Sequence, residues 1–157
     1  MNKLPYAEVK EIMKKNVVTV NENDTLEELA NKFRKYNFHG FPVVDNEGEL
    51  TGIVTKKDLL KIFRMQHLQS VFANQVKDIM VSPVVTVNPD NTISEVIDIM
   101  FEHAKRILPV MDDGKLVGMI CQRDIVTKIL AKEPKKKSPK SVISKITKRI
   151  IPPVKKK

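Results

Sequence analysis

The chain has 157 residues, of which 41% are apolar and 30% charged, with one cysteine and three histidines. One cysteine excludes an internal disulfide, the histidines show no zinc-ligand spacing, and no apolar run approaches the roughly 20 residues that span a bilayer. With no signal peptide evident at its start, we expect a protein of the reducing cytoplasm.

The formal net charge of +9 comes from one end of the chain. Residues 132–157 hold 11 of the 28 basic residues and one of the 19 acidic ones. The remaining 131 residues are therefore close to neutral. Charge gives no information about what this body binds, and it marks the C-terminal segment as a separate basic tail.

The body is an internal duplication of residues 9–66 and 76–131. A shift of 67 places aligns "VKEIMKKNVVTVNENDTLEEL" with "VKDIMVSPVVTVNPDNTISEV", and "FPVVD" with "LPVMD". After one deletion, "GELTGIVTKKD" aligns with "GKLVGMICQRD". About eighteen identical positions in one register identify the two segments as homologous copies.

Each copy predicts the same elements in the same order. The run "VVTV" predicts a short strand, and the capping boxes Thr25–Glu28 and Thr92–Glu95 predict helix starts. Helical spacing of apolar residues follows each box. Two strands come next, joined by "NEG" or "DG", at 41–45 and 49–55 in the first copy and 107–111 and 115–121 in the second. Closing helices are predicted to begin at Lys56 and Gln122.

Each unit has one small sheet with an apolar face that its twin can cover. We therefore expect an α/β fold in which two β-α-β-β-α units pack about a pseudo-twofold axis. Two equivalent clefts would lie between them, and clefts between units are where ligands collect.

This duplicated pattern strongly resembles a tandem pair of CBS domains, the regulatory module first named for cystathionine beta-synthase. The resemblance covers residues 9–131 and depends on the "IM…VVTV…T" opening, the "PV(V/M)D" strand and the "G-h-h-(T/S)-x-x-D" ending, where h is an apolar residue. It implies that the clefts bind adenosine compounds such as AMP, ADP, ATP or S-adenosylmethionine.

The resemblance also implies which residues touch the ligand. The ending phrase would hold the ribose or nearby phosphate, the residues before "PV" would contact adenine and phosphate, and the threonine of "VVTV" would line the adenine slot. In the first copy these residues are Thr19, Phe38, His39, Gly40, Thr55, Lys56, Lys57 and Asp58. In the second copy they are Thr86, Lys105, Arg106, Ile107, Cys121, Arg123 and Asp124.

Thr55 and Asp58 are also spaced as a capping box for the closing helix. The ligand interpretation is favoured because Asp124 persists beside Cys121, which is a poor cap. Cys121 is interpreted as a small apolar filler, with a reactive thiol as the alternative. Because Cys121 lacks the hydroxyl and Ile107 is bulky, the second cleft binds more weakly, binds a different ligand or stays empty, and the first is the better candidate.

The basic tail, residues 132–157, predicts a short amphipathic helix between Ser138-Pro139 and Pro152-Pro153. Its apolar face is formed by Ile143, Ile146 and Ile150. Two interpretations stay open: the helix docks on the body while its lysines are solvated, or it binds nucleic acid, an anionic membrane or an acidic partner.

No catalytic constellation is visible in the sequence, so we expect a non-enzymatic sensor with no catalytic cofactor and no metal. The resemblance implies a homodimer, and an unidentified target protein would receive the signal. The alternatives are a nucleic-acid- or membrane-associated protein that acts through its tail, with the pair only dimerising, or a structural dimer with empty clefts.

Overall fold

The structure is a computed structural model that describes residues 6–67 and 72–131. The predicted helix of the basic tail lies outside these residues. The first copy consists of α1 (Val9–Ile12), β1 (Val20–Asn21), α2 (Leu26–Lys35), β2 (Gly40–Val44), β3 (Leu50–Thr55) and α3 (Lys56–His67). A 3₁₀ turn (Val76–Asp78) opens the second copy, followed by α4 (Ile93–Glu102), β4 (Ile107–Asp112), β5 (Lys115–Cys121) and α5 (Gln122–Ala131).

The mixed α/β fold with two copies is confirmed, and the closing helices begin at Lys56 and Gln122 as predicted. In both copies the capping box forms. The Thr25 hydroxyl accepts from Glu28 N–H at 3.1 Å, and the Thr92 hydroxyl accepts from Glu95 N–H at 3.2 Å. These boxes satisfy N–H groups that a helix start leaves without a partner.

The strand predicted for each "VVTV" run is largely wrong. In the first copy it is reduced to the two residues of β1, which pair in parallel with β2. In the second copy a single parallel bridge joins Val87 to Val110. Only the last valine of each run, Val20 or Val87, is buried, and the other residues of the run are half-buried or exposed and form no ladder.

Both sheets are built around an antiparallel hairpin. In the first, β2 pairs with β3 and β1 extends the edge; in the second, β4 pairs with β5. The second hairpin turns on Asp113 and Gly114, which both have positive φ, the conformation that two-residue hairpin turns require.

The opening segments of the two copies are exchanged. Ala7, Val9 and Ile12 are buried in a core made by the second copy, whereas Ala73, Val76 and Ile79 complete the core of the first. Backbone hydrogen bonds hold each segment along the partner copy's last strand. The unit that repeats in the sequence is therefore not the unit that packs.

A glycine in each last strand permits this exchange. A β-carbon at Gly52 would stand 2.5 Å from the sulfur of Met80, and one at Gly118 would stand 2.7 Å from the sulfur of Met13. A side chain at either position would have to displace the methionine that packs over it. The glycine of the repeated ending phrase thus serves packing between the copies.

Candidate ligand-binding site

The structure assembles two equivalent groups of residues from the sequence prediction. The first group is residues 38–40 with 55–58, and the second group is residues 105–107 with 121–124. In the first, Gly40 pairs with Thr55, and the Lys56 N–H donates to the His39 carbonyl at 3.0 Å. In the second, Ile107 pairs with Cys121 and the Gln122 N–H donates to the Arg106 carbonyl at 3.0 Å. Each group lies where a strand end meets a helix N-terminus.

The carboxylate of Asp58 closes a capping box with Thr55. Its Oδ2 accepts from the Thr55 N–H at 2.8 Å and from the Thr55 hydroxyl at 2.9 Å. The Asp58 N–H donates to the same hydroxyl at 3.3 Å. The capping interpretation is therefore geometrically correct. Both hydrogen bonds that the Asp58 carboxylate accepts end on Oδ2. Oδ1 accepts none from the described residues and can still accept from a ligand.

Asp124 also has a hydrogen-bond partner three residues before it. The sequence argument that Cys121 leaves Asp124 without a capping partner is therefore wrong. The Cys121 thiol donates to Asp124 Oδ2 at 3.0 Å, so sulfur takes the place of the threonine hydroxyl. Burial and this carboxylate raise the pKa of the Cys121 thiol above its usual value. The thiol is half-buried and protonated near neutral pH, which argues against the reactive alternative.

The exchange of threonine for cysteine follows from the residue across the strand pair. A β-carbon added at Gly40 would stand 3.1 Å from Thr55 Cγ2 and 2.7 Å from the Val54 carbonyl oxygen. In the second copy Ile107 occupies that position opposite Cys121. Cysteine has no Cγ2, so it leaves room for the isoleucine that threonine would crowd. Gly40–Thr55 and Ile107–Cys121 are therefore matched pairs.

The basic residues of both groups lie mostly at the surface. Lys56 and Lys57 are exposed in the first turn of α3, and Arg123 is exposed in the first turn of α5. Arg106 and His39 are exposed, while Lys105 is half-buried. Cationic side chains beside the free N–H groups of a helix start suit the binding of phosphate.

Lys14 is a site residue that sequence reasoning missed. Its Nζ lies 3.7 Å from Asp124 Oδ1 and 5.5 Å from the ring centroid of Phe38. The ring of Phe38 also stacks on Tyr36, with centroids 5.4 Å apart. Phe38 therefore comes within reach of the second group through Lys14. The only signal in the sequence was that Lys14 aligns with Val81, a charged residue against an apolar one.

The two threonines of the "VVTV" runs have the following surroundings. The Thr19 carbonyl accepts from Lys32 Nζ at 2.6 Å. Thr86 lines a cleft of about 440 Å³ between the first hairpin, at Glu49 and Thr51, and the opening of the second copy, at Pro83. The lining of this cleft includes neither Cys121 nor Asp124.

Two searches of the described residues concern other kinds of site. No three His, Cys, Asp or Glu side chains there converge on a point where a metal ion could bind. None of the described helices has the length and apolar character required to cross a membrane.

Comparisons with known proteins agree with this architecture. A family model described as CBS domain matches twice, at residues 9–64 and 76–131. Inosine-5′-monophosphate dehydrogenase of Methanocaldococcus jannaschii is 36% identical over 117 residues, which cover 74% of this chain and 22% of the dehydrogenase. The CBS domain-containing protein YhcV of Bacillus subtilis is 29% identical over 125 residues, covering 80% of this chain and 87% of YhcV.

Among solved structures, the CBS domain pair of protein MJ0100 is similar over nearly its whole length. It is 28% identical, with a TM-score of 0.71, and the match covers 81% of this chain and 98% of that one. That structure is a complex with 5′-methylthioadenosine and S-adenosyl-L-methionine.

Proposed function

Because the chain belongs to the CBS domain family, we propose that it is a non-catalytic sensor that binds an adenosine compound between its two copies. Ligand classes that fit are AMP, ADP, ATP and S-adenosylmethionine. The observation that carries the proposal is the carboxylate of Asp58, held at a strand end beside a helix N-terminus, with Oδ1 left to accept. The adenosine ligands of the MJ0100 domain pair support the ligand class.

The chemistry of the first group suits a ribose with a phosphate. Two vicinal ribose hydroxyls can both donate to one carboxylate, and bonds to a charged acceptor are the stronger class. The first turn of α3 offers the positive charge of Lys56 and Lys57 to a phosphate. Gly40, which carries no side chain, allows its strand to lie close against Thr55.

The proposal is tested by calorimetry with AMP, ADP, ATP, S-adenosylmethionine and NAD. We expect Asp58→Ala to weaken binding on the order of 10- to 100-fold, since a hydrogen bond to a charged group is worth roughly 1.5 to 3 kcal/mol. Asp124→Ala should weaken it less if the first cleft is the better site.

Because Asp58 also caps α3, a matched control is needed. Glu28→Ala removes the equivalent capping side chain of α2, which lies outside both groups. It should lower the stability by about 1 kcal/mol and leave ligand affinity unchanged. If both variants lower affinity equally, or if no compound binds the wild type, the aspartate is a cap and the sensor hypothesis fails.

We also propose that the protein is a homodimer. Leu60 and Phe63 on α3 and Val126 on α5 are 67%, 50% and 53% exposed, and Leu60 and Val126 occupy corresponding turns of the closing helices. A second copy could cover this apolar surface. Leu60→Glu with Val126→Glu should shift sedimentation from dimer to folded monomer, while a monomeric wild type would contradict the proposal.

A further inference from the structure

Lys14 belongs to the first copy in sequence and to the second in space. Its N–H donates to the Met119 carbonyl at 2.9 Å, and its carbonyl accepts from the Met119 N–H at 3.0 Å. Val81 makes the equivalent pair of bonds with Ile53, at 2.8 and 3.0 Å. The two opening segments thus present a side chain from the same backbone position, lysine at the second group and valine at the first.

The Lys14 ammonium lies between Asp124 and Phe38. It lies 3.7 Å from Asp124 Oδ1, while Asp124 Oδ2 already accepts the thiol of Cys121. In the first group the corresponding Oδ1 of Asp58 is left for a ligand. On its other side the ammonium lies 5.5 Å from the ring of Phe38. It therefore sits between a carboxylate suited to ribose hydroxyls and an aromatic ring suited to a base.

The charges of the two groups differ accordingly. Around Asp58 the first group has two lysines, Lys56 and Lys57. Around Asp124 the second group has four cations, which are Lys14, Lys105, Arg106 and Arg123. Asp124 is the more sheltered partner of the ion pair, with a side chain that is 18% exposed against 53% for Lys14. Lys14 can therefore move toward solvent or a ligand while Asp124 stays in place.

We infer that Lys14 makes the second site selective for adenosine compounds that carry negative charge. An uncharged adenosine compound must separate Lys14 from Asp124 and offers the ammonium no new partner. A phosphorylated compound offers its ribose hydroxyls to Asp124 and its phosphates to Lys14, so the ammonium exchanges one anion for another. The inference rests on the proposed function and names the ligand preference of one of its sites.

The test compares ATP with uncharged 5′-methylthioadenosine by calorimetry, in an Asp58→Ala background that weakens the first site, so that the second site is read at low ligand concentration. Lys14→Val, which places at residue 14 the residue found at 81, should tighten binding of 5′-methylthioadenosine and weaken binding of ATP. The ratio of the two affinities should fall roughly tenfold, because a partly exposed ion pair contributes a few-fold to each ligand. Lys14→Arg should preserve the ratio.

Lys15→Val is the matched control, since it removes the same charge from the neighbouring, exposed residue. It should leave the ratio unchanged, and a fall equal to that of Lys14→Val would show that net charge alone is responsible and overturn the inference. An unchanged ratio in Lys14→Val, or loss of all binding in the Asp58→Ala background, would also overturn it. If the wild type binds neither these two compounds nor AMP, ADP or S-adenosylmethionine, the proposed function itself has failed.

Discussion

Asp58 and Asp124 stand at the same place in the two copies, yet their surroundings differ in every neighbour described above. Asp58 accepts from the Thr55 hydroxyl, and Thr55 lies opposite Gly40. Asp124 accepts from the Cys121 thiol, Cys121 lies opposite Ile107, and Lys14 meets the remaining oxygen. The comparison shows that the duplicated phrase keeps its aspartate and the side-chain contact three residues before it, while the packing neighbours change in linked pairs.

The largest expected effect is on the stability of isolated fragments, and it tests the exchange of the opening segments. A fragment that follows the packed unit, residues 15–82, retains Ala73, Val76 and Ile79, which complete the first core. A fragment that follows the sequence repeat, residues 1–67, lacks all three of these residues. Burying the valine and isoleucine is worth about 1.5 to 3 kcal/mol each, a large part of the stability of a small domain. We expect cooperative urea unfolding for residues 15–82 and none for residues 1–67, measured by circular dichroism.

The matching fragment of the second copy sharpens this comparison. Residues 72–131 lack Ala7, Val9 and Ile12, which are buried in the second core, and should also unfold without a sharp transition. Equal, cooperative unfolding of residues 1–67 and 15–82 would show that the opening segments are dispensable.

The second prediction concerns substitutions that mismatch the pair Ile107–Cys121 across β4 and β5. Cys121→Thr should destabilise the protein by about 1 kcal/mol, because its added methyl group meets Ile107 in a packed site. Ile107→Gly costs stability of its own, but in the double variant it recreates the pair of the first copy, so the double variant should lose less than the sum of the two single variants. Urea unfolding of both single variants and the double variant should give a coupling energy of about 1 kcal/mol. Independent, additive effects would refute the pairing.

The third and smallest effect is on the pH dependence of alkylation of the Cys121 thiol. Because burial and Asp124 raise the pKa of Cys121 above its ordinary value of 9.0, the thiolate fraction at any given pH is lower than in the unfolded chain. Alkylation by iodoacetamide should therefore reach half its maximal rate at a higher pH in the folded protein than in denaturant. Asp124→Asn should move that pH down, since it removes the carboxylate charge. A profile identical to that of the denatured chain would contradict the contact between Cys121 and Asp124.

Local patterns in the sequence predicted the local structure well. The capping boxes, the hairpins and the starts of the closing helices each depend on residues within a few positions of one another, and the structure confirms them. The duplication predicted the fold, and with it the family. These features are determined by short-range chemistry or by repetition, both of which a single sequence displays.

The missed features involve contacts between distant residues. Lys14 meets Asp124 across 110 positions, and no local pattern encodes the exchange that brings them together. The "VVTV" run was misjudged because β-branched residues favour buried extended chain as much as a ladder. The site roles, the cytoplasmic location and the interpretations of the basic tail stay predictions.

The exchange of opening segments also matters while the protein is being synthesised. The first copy cannot complete its core until Ile79 has left the ribosome, well after its own last helix has emerged. Residues 7–12 emerge first and must wait for Ile120 and Ile125 before they reach their final partners. Domains usually fold in order as they are made. Here the nascent chain holds an apolar segment unpaired for most of its synthesis, and the core of the second copy can be completed only after that of the first.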